Sequence, residues 1–319
     1  MTEPTTAPTH STRHETAPVM VAVGTSGADS ALGFAVAEAA RHGCGVHLVH
    51  VLHLVPMSAE MVLVDTSDYE RVARDTLNAA MTRARHLAPA GMPVSGEAVL
   101  GAVVSSLVQA SRDARVVVLQ RRHLSRLERV ATRSVTNGVA ARTDVPVVSV
   151  PEGWTGAGRE GKPPRVVVGV DVPDRSAPVL AAAAEAARSR GARLDVLHTW
   201  YFPGAYDDII MSRVEKDDWA ERARKEIQAE LDGLGDLFTG LEVRIGARHH
   251  LPADALVEAS KDADLLVVGR HDPLIPFGSH LGPVSKALLR DAECPVLLAH
   301  ATTHHFGPRH RDAGTAQQD

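Results

Sequence analysis

The sequence predicts two tandem doubly wound α/β domains, each a five-stranded parallel sheet with helices on both faces. Short aliphatic runs alternate with amphipathic stretches along nearly the whole chain, as strands and crossover helices do. The same order of elements occurs twice, and a stretch rich in Gly and Pro separates the copies. Aromatic residues make up only 3% of the 319 residues, whereas apolar residues make up 44%. Cores built from Val, Leu and Ala are typical of buried parallel strands.

The first predicted domain, residues 18–150, follows a polar arm, residues 1–17, which we predict to be disordered. Gly43 follows the first predicted helix, at a position where glycine commonly ends helices. The predicted strands are 18–23, 46–52, 93–99, 116–119 and 145–150, and the predicted helices are 29–42, 67–87, 102–112 and 132–142.

The second predicted domain, residues 165–299, follows a linker, residues 151–164, and precedes a polar tail, residues 300–319, which we also predict to be disordered. Equivalent residues of the two halves lie 147 to 149 positions apart, as Gly24 and Asp171 do. This period is too long for a solenoid and indicates a duplicated domain. The predicted strands are 165–170, 194–199, 241–247, 265–268 and 296–299, and the predicted helices are 176–190, 213–233, 252–262 and 283–291.

Ligands of such sheets bind beyond the carboxyl ends of the strands, at the point where the strand order reverses. In the second half, the strands predicted first and fourth are followed by Asp171 and Gly269. Because right-handed crossovers make these strands neighbours, we expect the two residues to face each other across a crevice.

Composition excludes several classes of protein. A net charge of -5 argues against general affinity for nucleic acids or membrane surfaces. No apolar run reaches the roughly 20 residues of a membrane span, and the polar N-terminus does not resemble a signal peptide. Cys44 and Cys294 occupy non-equivalent places in the two halves, which argues against a disulfide framework and favours a cytoplasmic location.

Three motifs resemble those of a known family. One half begins with a strand ending in Val-Gly-Val-Asp at 168–171, and a histidine, His50 or His198, lies at the end of the second strand of each half. Gly269 and Gly282 keep the spacing of a G-x2-G-x9-G-[S/T] pattern, which a Cys-Pro-Val strand follows. At these residues the sequence resembles the universal stress protein family in its tandem form, over nearly the whole chain between the tails. The resemblance implies an adenine nucleotide α-hydrolase-like fold.

The resemblance also implies a nucleotide site in the second half. In members that bind ATP, the Asp after the first strand meets the adenosine end, and the glycines and the Ser/Thr of the last helix hold the phosphates. The residues at the matching positions of this chain are Val170, Asp171, Thr199, Val268, Gly269, His271, Gly282, Val284 and Ser285.

Two residues depart from the nucleotide-binding pattern. Asp272 replaces the middle glycine, so its carboxylate would face phosphate oxygens unless a Mg²⁺ ion bridged them. Pro283 replaces the Ser/Thr and offers neither a hydroxyl nor a backbone N–H. The adenosine part of the site is compatible with these changes, and the phosphate part is weakened. The alternative is a loop that is kept for packing and binds no ligand.

The first half departs further, and we predict that it does not bind ATP. Gly24 occupies the position of the Asp, and Gln120, His123 and Arg133 occupy those of the glycines. Side chains at former glycines block close approach of the backbone to a ligand. The surrounding segment is rich in arginine. It either binds an anion or an acidic partner, or it is an ordinary solvated surface. Its arginines are Arg115, Arg121, Arg122, Arg126, Arg129 and Arg133.

The seventeen histidines invite a metal site, but their spacing does not support one. We interpret His50 and His198 as hydrogen-bonded structural residues. The aromatic residues of the segment 200–212 either cover the mouth of the crevice or pack in an interface.

We therefore predict a cytoplasmic, non-enzymatic stress-response regulator or sensor with an unknown protein partner. Its halves would form an internal pseudo-dimer through their final strands, 145–150 and 296–299, and two chains could associate further. One alternative is an interaction protein without a ligand. The other is an enzyme that hydrolyses ATP or transfers its phosphoryl or adenylyl group, which would need a positioned nucleophile or base and an intact phosphate cradle.

Overall fold

The computed structural model describes residues 16–53, 67–121, 129–156, 161, 163–202, 216–270 and 281–299. The predicted arm and tail lie almost entirely outside these residues. Within them each half alternates strands and helices as predicted. The first half comprises β1 (Val19–Val23), α1 (Asp29–His42), β2 (Val46–Leu52), α2 (Ser67–Leu87), β3 (Val94–Leu100), α3 (Val103–Ala110), β4 (Val116–Arg121), α4 (Arg129–Ala140) and β5 (Val147–Pro151).

The second half repeats this order. It comprises β6 (Arg165–Val170), α5 (Ala177–Arg190), β7 (Arg193–Trp200), α6 (Lys216–Leu234), β8 (Val243–His249), α7 (Pro252–Ser260), β9 (Leu265–Gly269), α8 (Pro283–Asp291) and β10 (Val296–Ala299). α1 and α5 both end at a glycine in the left-handed conformation, Gly43 (φ 63°) and Gly191 (φ 58°). These caps align the two helices at an offset of 148 residues.

Some predicted boundaries differ by a few residues. α3 ends at Ala110 because the chain tightens into a 3-10 turn, Ser111–Asp113. β8 begins at Val243, two residues later than predicted, because Leu241 still belongs to a turn and donates its N–H to the carbonyl oxygen of Phe238. Both differences arise where a helix passes into a turn, and neither moves a strand in the sheet.

Each half contains a five-stranded parallel sheet in the predicted doubly wound order. In the first half the spatial order is β3-β2-β1-β4-β5, and in the second it is β8-β7-β6-β9-β10. The two sheets form one, as pairing through the final strands requires; the antiparallel direction of that pairing was not predicted. β5 and β10 pair antiparallel, with Val148 opposite Leu297, and this pairing produces a continuous ten-stranded sheet. The predicted contact between the final strands is confirmed.

Helices cover both faces of the sheet. Leu32 of α1, Leu77 of α2, Leu180 of α5 and Ile227 of α6 belong to one core, and the helices α3, α4, α7 and α8 supply the other. Strand residues alternate between these cores, so Val170 faces α5 and α6 while Val268 faces α7 and α8. Full burial of a leucine such as Leu32 or Leu180 stabilises the fold by about 1.5–3 kcal/mol, the free energy of transferring its side chain out of water.

The seam between the halves extends beyond the two final strands. Arg190 of α5 donates from Nη2 to the Glu38 Oε2 atom of α1 at 2.5 Å, and both side chains are largely buried. The Arg190 guanidinium also lies 5.8 Å from the ring centroid of Phe34. Trp154, from the segment predicted to be a linker, packs against Phe34 with ring centroids 5.7 Å apart. The halves thus share one core on this face.

Candidate functional site

The candidate site of the second half lies where its strand order reverses. β6 is hydrogen-bonded to β7 on one side and to β9 on the other, with Gly169 opposite Val268. This register places Val170, the last residue of β6, next to Gly269, the last residue of β9. Asp171 follows directly and is exposed. The ends of β6 and β9 are therefore neighbours, as predicted.

The second strand of this half supplies the adjoining wall. Thr199 is buried near the end of β7, and His198 beside it is the register partner of Val170. The His198 Nδ1 atom lies 3.0 Å from the carbonyl oxygen of Val170. Because a carbonyl can only accept, Nδ1 carries the proton and donates it. His198 thereby fixes the end of β6 from which Asp171 projects.

Gly269 leaves open space in front of the first turn of α5. A Cβ atom placed on Gly269 would have as its nearest neighbour the Cβ atom of Val179, at 3.9 Å. The N-cap residue of α5, Ser176, makes no side-chain bond to the helix, and its hydroxyl donates instead to the carbonyl oxygen of Val172 at 2.7 Å. The partial positive charge of this helix end therefore faces a space that no protein side chain is shown to enter among the described residues.

The predicted phosphate residues begin α8. Gly282 is its N-cap with extended backbone (φ -68°, ψ 170°), and Pro283 is its first residue. Ser285 is buried, and Val284 is half-buried against the core on the α7/α8 face. Val268 belongs to that same core. The structure thus brings Val170, Asp171 and Gly269 to one rim and directs Val268 away from it, while His271 and Asp272 lie outside the described residues.

The equivalent place in the first half is filled by a protein side chain. The Gln120 Oε1 atom accepts hydrogen bonds from the backbone N–H groups of Ser30, at 3.0 Å, and Ala31, at 3.3 Å. These N–H groups belong to the first turn of α1, whose N-cap residue, Ala28, has no side chain that could bond to them. Gln120 therefore caps α1 from the neighbouring strand and occupies the space that Gly269 leaves open.

His50 repeats the role of His198. Its Nδ1 atom lies 2.8 Å from the carbonyl oxygen of Val23 at the end of β1, and the side chain is buried. The interpretation of both histidines as hydrogen-bonded structural residues is confirmed by these contacts.

The sequence pattern of the universal stress protein family matches residues 16–151 and 163–300. The chain belongs to this family. A universal stress protein of Mycobacterium tuberculosis is 30% identical to it over 210 residues, and the match spans 65% of each chain. A second, from Mycolicibacterium smegmatis, is 28% identical over 286 residues and spans 88% of this chain and 96% of its own.

Solved structures agree with the fold. The universal stress protein from Archaeoglobus fulgidus superposes with a TM-score of 0.66 at 16% identity, over 90% of this chain and 98% of the other. A putative universal stress protein from Pseudomonas aeruginosa gives a TM-score of 0.57, also at 16% identity. In the part of the chain that the structure describes, no helix is long and apolar enough to cross a membrane.

Aromatic residues of this universal stress protein collect at the carboxyl ends of β7 and β8. Trp200 lies 6.4 Å from Trp219 of α6 and 6.2 Å from His249, measured between ring centroids. Tyr201 stacks on His249 at 5.8 Å, and Phe202 meets Trp219 edge to face at 5.5 Å. These residues pack on β8 and α6 beside Thr199, and the remainder of the predicted aromatic segment, 203–212, lies outside the described residues.

Two arginines of the predicted patch bond to other parts of the protein and are therefore not available to a partner. Arg115 pairs with Glu185 of the other half at 2.5 Å. Arg121 donates to the carbonyl oxygens of Leu288 and Ala292. The other four side chains of the patch lie outside the described part of the structure, so an acidic partner for them stays a prediction.

Proposed function

We propose that this universal stress protein is a non-enzymatic, cytoplasmic sensor that binds an adenine nucleotide in its second half only. The observation that carries the proposal is the difference between the two crevices. Among the described residues no side chain is shown to bond to the end of α5 beside Gly269, whereas the Gln120 carboxamide bonds to the end of α1. Asp171 stands at the open crevice, and Gly24 occupies its position at the closed one.

The adenosine part of the ligand is supported by the wall between Asp171 and Thr199. An exposed carboxylate accepts hydrogen bonds from paired hydroxyls, such as those of ribose, without the cost of burying its charge. Thr199 lies on the neighbouring strand and is buried there, where a nucleoside at the strand ends would adjoin it. We therefore assign Val170, Asp171 and Thr199 to the nucleoside.

The phosphate part is supported by two helix ends. The first turns of α5 and α8 both carry partial positive charge, and Gly282 and Ser285 lie on α8 where the family holds phosphates. Pro283 withholds one N–H, and a Mg²⁺ ion between Asp272 and the phosphates would offset the remaining repulsion. We expect the phosphates to add less affinity than the nucleoside does.

A sensor fits the described residues better than an enzyme does. Apart from the exposed Asp171, three described residues near the crevice that could transfer a proton or attack a phosphorus atom are engaged or buried. His198 donates to Val170, the Ser176 hydroxyl donates to Val172, and Ser285 is buried. Catalysis would need one of them to be freed and aligned with a phosphorus atom.

The test is calorimetric titration with ATP·Mg²⁺, AMP and adenosine. We expect saturable binding by the wild type, ATP and AMP affinities within about tenfold of each other, and at least tenfold weaker binding by Asp171→Ala, since a hydrogen bond to a charged group contributes about 1.5–3 kcal/mol. Asp174→Ala is the matched control, because it removes an equally exposed carboxylate from the adjacent turn.

Three results would contradict the proposal. Absence of binding by the wild type would favour an interaction protein without a ligand. Equal losses in Asp171→Ala and Asp174→Ala would show a general charge effect in place of a site. Steady release of phosphate that disappears in Asp171→Ala would identify an enzyme.

A further inference from the structure

Two half-buried arginines cross the seam in opposite directions. Arg121, the last residue of β4, donates from Nη1 to the carbonyl oxygen of Leu288 at 2.9 Å and from Nη2 to that of Ala292. Both acceptors lie at the C-terminal end of α8, in the other half of the chain.

Arg270, the residue that follows β9, makes the reverse connection. Its Nη1 atom donates to the carbonyl oxygens of Ala140, at 3.0 Å, and Thr143, at 2.5 Å, and its Nη2 atom donates to that of Val145. These acceptors lie at the C-terminal end of α4 and in the segment that leads into β5. Arg121 and Arg270 are equivalent residues, 149 positions apart.

The antiparallel seam explains why the exchange is possible. The last helix of each half runs back to the amino edge of its own sheet, where β5 or β10 begins. Since β5 and β10 are antiparallel, that edge coincides with the carboxyl edge of the other half. Each arginine therefore meets the negative end of a helix dipole and carbonyl groups of the last turn, of which that of Leu288 also accepts the N–H of Ala292.

Backbone carbonyl oxygens stabilise the positive charge of both guanidinium groups. Burial lowers the pKa of Arg270 to about 10, an effect that the Asp144 carboxylate only partly offsets. Burial likewise lowers the pKa of Arg121. Both side chains are therefore protonated at neutral pH. A lysine could not replace them, because one ammonium group cannot span acceptors that the planar guanidinium reaches together.

The two contacts differ in what lies beside them. Arg270 directly follows Gly269, the rim of the open crevice, and its backbone N–H donates to the carbonyl oxygen of Ala299 at 3.2 Å. Arg121 directly follows Gln120, which closes the crevice of its own half. Of these two arginines, Arg270 is thus the one that joins the proposed nucleotide crevice to the opposite half.

We propose that Arg270 is a positioning residue through which the last helix of the first half fixes the rim of the nucleotide crevice in the second half. Binding in the second half then depends on the first half, even though the first half is predicted not to bind ATP. This inference rests on the proposed nucleotide site for its effect on affinity, and on the arginine contacts alone for its effect on the rim.

The experiment compares full-length Arg270→Met, Arg270→Lys and Arg121→Met with the wild type. Amide hydrogen exchange without ligand reports on the rim, residues 265–270, and on the end of α4, residues 139–145. Loss of a charged hydrogen bond corresponds to about a tenfold change or more, so we expect exchange in both segments to accelerate about tenfold in Arg270→Met. Arg270→Lys should be intermediate, and it serves as the readout if Arg270→Met does not fold.

Arg121→Met is the matched control. It removes an equivalent half-buried guanidinium and should accelerate exchange at residues 288–294, while residues 265–270 stay as in the wild type. Calorimetry with ATP·Mg²⁺ should show an affinity about tenfold weaker in Arg270→Met and changed by less than about twofold in Arg121→Met.

Unchanged exchange at residues 265–270 in Arg270→Met would overturn the inference. Equal losses of ATP affinity in the two methionine variants would overturn it as well, because they would reflect general destabilisation. If the wild type binds no ATP, the proposed function fails, and the exchange measurement still decides whether Arg270 fixes the rim.

Discussion

The two crevices of this universal stress protein show how one position at a strand end can determine whether a helix end is available. In the second half, Gly269 leaves the first turn of α5 uncovered. In the first half, the Gln120 carboxamide reaches the same turn of α1 and accepts two of its N–H groups. The scaffold around the two sites is alike, with the same strand order and the same histidine contact to the first strand.

The difference indicates that loss of a ligand site need not weaken a fold. Helix ends leave N–H groups unpaired, and a ligand, water or a side chain can satisfy them. In the first half a side chain of the protein does so, which stabilises the helix by about 1 kcal/mol. In the second half the equivalent residues are Pro178, which has no N–H, and Val179, so one N–H group is left to whatever occupies the crevice.

Transfer of the glutamine to the second half should have the largest effect. We expect Gly269→Gln to reach the first turn of α5, where Val179 offers an N–H group and Pro178 offers none, and to weaken ATP·Mg²⁺ binding at least 100-fold in calorimetry, since the side chain and the ligand would compete for the same space. The variant should fold, because the added Cβ atom meets nothing closer than 3.9 Å.

Gly269→Ala is its control. It adds the Cβ atom without the carboxamide and should weaken binding by less than about tenfold. If alanine and glutamine weaken binding equally, the Cβ atom rather than the cap closes the site, and the comparison between the halves loses its basis.

The seam offers a second contrast, because the halves contribute opposite charges to it. Aligned at their glycine caps, Glu38 and His42 of α1 correspond to Ala186 and Arg190 of α5. We expect Arg190→Met to lower the free energy of unfolding by about 3 kcal/mol in urea titrations, because the largely buried Glu38 carboxylate loses the least exposed of its three partners, Arg190, Arg41 and His42.

Arg41→Met is the control for that pair. Arg41 contacts the same carboxylate at 2.8 Å but is more exposed, so its loss should cost about 0.5 kcal/mol. Similar costs for the two substitutions would mean that the seam gains nothing from the complementary charges.

Removal of the cap in the first half should have a smaller effect. Gln120→Ala should lower the free energy of unfolding by about 1 kcal/mol, since two N–H groups of α1 lose their acceptor. Gln109→Ala, an exposed glutamine on α3, should change it by less than about 0.5 kcal/mol. Gln120→Ala should not gain nucleotide binding, because Gly24 offers no carboxylate, and a gain would show that the cap alone separates the halves.

The least effect is expected in the pH dependence of stability. Burial opposes ionisation of Glu38, but the hydrogen bond from His42 and the charges of Arg190 and Arg41 outweigh it, so its pKa lies below the ordinary 4.5. The folded state therefore binds this proton less readily than the unfolded state. The resulting stabilisation is present above pH 4.5 and is lost as the pH falls through the lower pKa of the folded state.

Glu38→Gln should thus flatten the loss of stability below pH 4.5, measured by urea titrations over a pH series. Glu258→Gln, which alters an exposed pair with Arg248, should leave that slope as it is in the wild type. A slope that is the same in Glu38→Gln and the wild type would show that other carboxyl groups govern acid unfolding.

Much of the fold could be predicted from the sequence because it depends on local patterns. Apolar runs and glycine caps located the strands and helices, and the handedness of crossovers then determined that β6 and β9 are neighbours. Asp171 and Gly269 were placed at one rim for the same reason.

The contacts that distinguish the halves could not be predicted in this way. Gln120 was recognised as a departure from glycine, and the lack of a capping side chain at Ala28 was the signal that its amide had a role. The destinations of Arg121 and Arg270 depend on how the two sheets dock, which no local pattern specifies. Arg121, which belongs to the surface patch predicted from the sequence, is partly buried in the structure.

The antiparallel pairing of β5 and β10 has one further consequence. Because of it, the carboxyl ends of β1–β5 lie along one edge of the ten-stranded sheet and those of β6–β10 lie along the opposite edge. We call these two edges the poles of the molecule, and they carry different side chains. A nucleotide would enter at one pole, while the other pole is permanently closed by Gln120. A partner protein docked at the closed pole would leave the entrance at the open pole unobstructed, so recognition and ligand exchange could proceed at the same time on a single chain.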